Sequence, residues 1–114
     1  MVHNMGKRKG SKKESIVANK LKKRGYIIEE RNVIKKLNQH KKAEYDIIAK
    51  YRNCKYAIEV KSGKQILCTS VIENHIKKAN KIKAKPMFVI GKNVKLTEKA
   101  LKLAKKHKVR IIVM

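Results

Sequence analysis

Aromatic side chains are scarce in this chain of 114 residues: there is no Trp, one Phe and four Tyr. Ile, Val, Leu and Ala must therefore fill any core. The stacking rings and RNP-type motif of RNA-binding modules are missing. Acids are few, 8 against 32 Lys and Arg. Cys54 and Cys68 stand alone without Cys-x-x-Cys spacing, which argues against a zinc site and leaves reduced thiols as the expectation. The four His are scattered, none four residues from another, and each reads as structural or solvated. No apolar run approaches the roughly 18 residues of a membrane span. Met1–Lys13 is polar and basic, without the apolar centre of a signal peptide. The expectation is a cytoplasmic chain with no membrane segment.

What is abundant is positive charge. The formal net charge of +24 makes the chain repel itself, so it calls for a polyanion partner. Nucleic acid is the first candidate and an anionic membrane surface the second. The length suits one domain. Residues 1–10 form a basic arm with Lys7, Arg8 and Lys9 between two glycines, suited to tracking phosphates, and residues 11–114 form the folded domain.

The stretch Glu44–Lys61 organises the domain. It reads as two apolar strands, Tyr45–Tyr51 and Lys55–Lys61, joined by a turn at Arg52-Asn53, since Asn tolerates the backbone angles of tight hairpins. Both strands are apolar on both faces, as in a sheet covered on two sides. Asp46, Glu59 and Lys61 interrupt them. The two-residue period of a strand places Glu59 and Lys61 on one face. Burying an acid is costly without a compensating partner, and one metal ion would compensate Asp46 and Glu59 together.

Around this hairpin the pattern predicts a helix from Ser11 to Arg24, opened by the capping box Ser11-Lys12-Lys13-Glu14 and closed by Gly25. Glu14 shares a face with Ala18 and Leu21, so it is both a candidate cap and a candidate site residue. A strand at Tyr26–Arg31 leads into Asn32–Lys42, which reads either as a longer hairpin or as a loop over the site. Ser62-Gly63-Lys64 is a turn. Ser70 and Glu73 open a second helix reaching Lys83, with Ile72, Ile76, Ala79 and Ile82 inward and Lys77, Lys78, Lys81 and Lys85 outward. Then come strand Met87–Ile90, loop Gly91–Leu96, a helix capped by Thr97, and strand Val109–Val113. The order α-β-β-β-α-β-α-β implies an α/β fold: a mixed β-sheet flanked by helices, antiparallel at its start and parallel through the late crossovers.

Asp46, Glu59-Val60-Lys61 and this element order resemble the PD-(D/E)xK nuclease superfamily, with its restriction-endonuclease-like fold. Arg8-Lys9-Gly10 followed by Glu14, and Ile58-Glu59-Val60-Lys61 after a hairpin, look most like archaeal Holliday junction resolvases. The last third, from Met87-Phe88-Val89 through Ala100 and Ala104 to Val109-Arg110-Ile111-Ile112, looks more like the Mrr type. Tyr45 stands before Asp46 where the superfamily motif has Pro, and Ser15 follows Glu14 where resolvases usually carry Arg. The resemblance implies metal-dependent DNA cleavage. Mg²⁺ or Mn²⁺ would be held by Asp46, Glu59, the Val60 carbonyl and Glu14, and Lys61 would orient water. The charge points to DNA contacts from Lys7, Arg8, Lys9, Lys64, Lys77, Lys78 and Lys81, and the resemblance adds Arg31. A homodimer would use Leu101, Leu103, Ile111 and Val113 as its apolar surface. The rival readings are a non-catalytic architectural DNA-binding protein and a general Mrr-like nuclease.

Overall fold

In a computed structural model of the chain, the backbone is described for residues 3–114 and the side chains for residues 13–114. Helix α1 spans His3–Lys23. Ser11 therefore lies inside a helix, and the expected start of the helix at Ser11 is corrected. Lys and Arg are good helix formers, and a nucleated helix gains one hydrogen bond per added residue, which carries it through Gly10. The side chains of Lys7, Arg8, Lys9 and Ser11 lie outside the described residues. The C-terminal end matches expectation: Tyr26 N–H donates to Leu21 O at 3.0 Å and Gly25 N–H to Lys22 O at 3.0 Å. This is a Schellman turn, and Gly25 takes the left-handed φ of +98° that it demands.

Strands β1 (Ile27–Lys36) and β2 (Lys42–Tyr51) form a long antiparallel hairpin, so Asn32–Lys42 is mostly strand and not a loop over the site. Charged residues obscure its half-buried alternation, and a bulge at Glu29 shifts the register between Ile28 and Glu30. Asn38 Oδ1 closes the turn by accepting from the backbone N–H groups of His40 and Lys41. The next strand, β3 (Cys54–Lys61), follows the predicted tight turn, with Arg52 and Asn53 at φ +50° and +65°.

Short strand β4 (Gln65–Leu67) leads to helix α2 (Thr69–Lys81). Strands β5 (Lys85–Ile90) and β6 (Val94–Leu96), helix α3 (Glu98–Lys106) and strand β7 (Arg110–Val113) complete the chain. The second capping box does not form: Cys68 occupies the N-cap of α2 without a side-chain cap, and Ser70 Oγ lies 3.0 Å from Cys68 Sγ. Thr97 does cap α3, its Oγ1 accepting from Ala100 N–H at 3.1 Å.

The result is a mixed α/β domain whose main sheet has the order β1-β2-β3-β5-β7, antiparallel through β3 and parallel beyond. Strands β4 and β6 pair in a separate two-stranded sheet, which the expected loop at Gly91–Leu96 had hidden; three-residue strands are too short to show a period. Val17, Ala18 and Leu21 of α1 cover one face with Ile47, Ile58 and Val89. On the other face, Ile72, Ala100 and Ala104 pack with Phe88 and Ile90, while Ala79 packs with Tyr45 and Ile48. Leu103 and Ile111 partly pack onto this second core, whereas Leu101 and Val113 remain 42% and 58% exposed. Among the described residues, no helix is long and apolar enough to cross a membrane.

Candidate active site

The β2–β3 ladder begins at the hairpin turn and is regular only as far as Ile47 opposite Ile58. Beyond this step Val60 N–H donates to Asp46 Oδ2 at 2.9 Å, so a side chain replaces a backbone partner. Tyr45 and Ile48 pack towards α2 while Ile47 and Ala49 pack towards α1, which breaks the strand's alternation around Asp46. Across the β1 pairing, Asn32 lies between Arg31 (opposite Ile47) and Val33 (opposite Tyr45), and it has φ +49°. Asn accepts this conformation more readily than most residues. The distortion brings the Asp46 carboxyl to Glu14 on α1.

Glu14 is buried, 7% exposed, and in hydrogen-bond contact with Asp46. Two carboxyls can share such a bond only if one keeps a proton. Burial, then the hydrogen bond and charge of Asp46, then the charge of Glu59 push Glu14 up to about 8, against the pull of Arg31. Asp46 is also raised, first by burial and then by Glu59, while the Val60 N–H works the other way. Glu14 Oε1 is buried without a partner.

Glu59 and Lys61 share a strand face as expected, with Lys61 Nζ 3.4 Å from Glu59 Oε2. Lys78 Nζ lies 3.5 Å from Glu59 Oε1 and 5.4 Å from the centre of the Tyr45 ring. It therefore belongs to the site and not to the outer side of α2, where Lys77 and Lys81 are exposed as expected. Arg31 Nη1 donates to Ser15 Oγ, one residue from Glu14. Lys64 is exposed beyond the end of β3. Beside it, Ser62 accepts from Lys13 Nζ at 2.8 Å on its hydroxyl and from the Gln65 amide on its carbonyl. Sequence reasoning missed His75. It is 3% exposed, with Nδ1 3.9 Å from Glu59 Oε1. Its position between Ile72 and Ala79 on the buried stripe of α2 was the available signal.

Asp46, Glu59 and Glu14 offer the carboxylate oxygens a hard divalent cation prefers. Two carboxyls pressed together and one unpartnered buried oxygen are what such a cation would relieve, so the donor set fits. Among the described residues no three Asp, Glu, His or Cys side chains already converge as a metal-binding group, and Glu59 is paired with lysines instead.

A mixed sheet between helices, with acids and a lysine gathered where two central strands part, is consistent with a PD-(D/E)xK-like nuclease fold. Residues 9–114 match the nuclease-related domain, NERD, and the chain belongs to that family. It is similar to the crystal structure of AF1548, a protein of unknown function, with a TM-score of 0.77 at 18% identity. The match covers 91% of this chain and 58% of that one, so this chain spans little more than half the length of AF1548, and the likeness is one of fold. No curated protein matches the chain.

Proposed function

We propose that the protein is a divalent-metal-dependent endodeoxyribonuclease, with Mg²⁺ or Mn²⁺ held by Asp46, Glu59, Glu14 and the Val60 carbonyl. The observation that carries this reading is the Glu14–Asp46 pair, in which burial and then Asp46 push Glu14 up to about 8, so that ionising both acids at neutral pH costs stability unless a cation joins them. The bound ion would make water more acidic and offset charge on the phosphate. Lys61, beside Glu59, orients the attacking water and stabilises developing negative charge. Lys78 brings a second ammonium to the same corner. Exposed Lys64, Lys77, Lys81 and Arg31, with Lys7, Arg8 and Lys9, neutralise backbone phosphates along the DNA.

The substrate we propose is branched DNA, in line with the resolvase-like residues around Glu14 and Glu59. Each chain carries one Glu14, Asp46, Glu59 and Lys61 set, so paired cuts require a two-fold dimer. Exposed Leu101 on α3 and Val113 on the edge strand β7 support an interface there.

Labelled four-way junction, flap, duplex and single-stranded DNA, incubated with Mg²⁺ or with EDTA, test the reading. Cleavage is expected only with Mg²⁺. Asp46→Ala, Glu59→Ala and Lys61→Ala should each reduce it about 100-fold or more while DNA binding persists. Asp46→Ala protein that cuts at the wild-type rate would refute the site. Binding without any cleavage would return the chain to the architectural reading.

A further inference from the structure

His75 is held on three sides. Its Nε2 lies 2.8 Å from Ala57 O and 3.1 Å from Met87 O, and its ring meets Phe88 edge-on at 4.8 Å. Both carbonyls only accept, so Nε2 carries the hydrogen. Nδ1 has no acceptor within hydrogen-bond range to hold a second proton in this buried position, so the ring is neutral and Nδ1 keeps its lone pair. Nδ1 is buried and has no hydrogen-bond partner. It faces Glu59 Oε1 at 3.9 Å, so two acceptors stand across a gap that needs a donor. If the only task of His75 were to tie α2 to β3 and β5, Nε2 alone would do it.

We propose that His75 is a positioning residue for Glu59, its Nδ1 accepting from a water that donates also to Glu59 Oε1 and so orients the carboxylate towards the divalent ion. The inference rests on the metal-dependent reading of the site, and it gives His75 the outer role that partners of metal-binding side chains commonly have. Such a water requires the Glu59 side chain, which is 18% exposed, to shift outward from the 3.9 Å contact.

The two ring nitrogens can be tested apart. His75→Gln keeps a donor near Nε2 and removes the Nδ1 acceptor, whereas His75→Asn keeps an acceptor near Nδ1 and gives up the Nε2 bonds. Calorimetry should show Mn²⁺ affinity about tenfold weaker in His75→Gln with an unchanged Tm. His75→Asn should show the reverse, a lower Tm with Mn²⁺ affinity kept. ¹⁵N spectra of the wild type should show an unprotonated Nδ1. Wild-type affinity in His75→Gln, a protonated Nδ1, or affinity lost in both variants in step with Tm would overturn the proposal. If His75→Gln does not fold, His75→Asn and the ¹⁵N spectra decide. If the wild type binds no Mn²⁺, the metal reading fails by itself; the Glu59 carboxyl ¹³C resonance then decides the inference, supporting it if it moves in the metal-free His75→Gln protein and overturning it if it does not.

Discussion

Glu14 holds its proton in the folded chain up to about pH 8, against 4.5 for an ordinary glutamate. Between those values the native state binds more protons than the unfolded one, so the contribution of Glu14 is full below 4.5 and is lost as pH rises through 8. His75 acts oppositely: its lowered pKa means that acidification below 6.5 destabilises the fold. The metal-free protein should therefore lose stability from pH 6.5 to 8, on the order of a few kcal/mol, because each tenfold change in proton affinity is worth about 1.4 kcal/mol. Urea titrations in EDTA at several pH values measure the slope. Glu14→Gln, which cannot ionise, should flatten it and should lose most of the cleavage; a variant with full turnover would remove Glu14 from the site. The sequence left Glu14 between a cap and a site residue. The helix running through Ser11 removes the cap and leaves Glu14 buried against Asp46.

Helix termini show how far local signals reach. Thr97 and Ser70 both sit where a capping residue is expected, yet only Thr97 has its hydroxyl on a backbone N–H. The chain enters α2 by way of Cys68, because Leu67 must pair in β4 and pack in the core. Thr97→Ala should cost about 1 kcal/mol and Ser70→Ala only a few tenths, read from paired thermal melts. Equal losses would mean that the hydroxyl bond at Thr97 contributes nothing. The Arg52-Asn53 hairpin and the Gly25 turn were legible because each depends on backbone angles that few residues adopt cheaply. The long β1–β2 hairpin was legible only as one of two alternatives, since a strand with charges on both faces has no visible period.

The whole molecule carries +24 on 114 residues, so the DNA binding proposed for it should be mainly electrostatic and only weakly dependent on sequence. If about six phosphates are neutralised, log K should fall against log salt with a slope near −5, measurable by fluorescence anisotropy. A salt-independent affinity would contradict this. The same charge opposes self-association, so sedimentation at moderate salt should show a dimer more readily with junction DNA than without it. A monomer in both states, making single nicks, would leave a general nuclease.

The sequence alone determined the net charge of +24, the α/β element order and the placement of Glu59 and Lys61 on one strand face, because charge, crossover connections and the two-residue period are all local or additive properties. It also marked Asp46 as an acid in an apolar strand. Only the tertiary structure decided which groups meet. Asp46 reaches Glu14 because the strands part and β1 distorts at Asn32, an event shared by three strands. Lys78 and His75 join Glu59 because α2 lies across β3 at one particular rotation. Three-dimensional packing sets that rotation, and no window of neighbouring residues contains it.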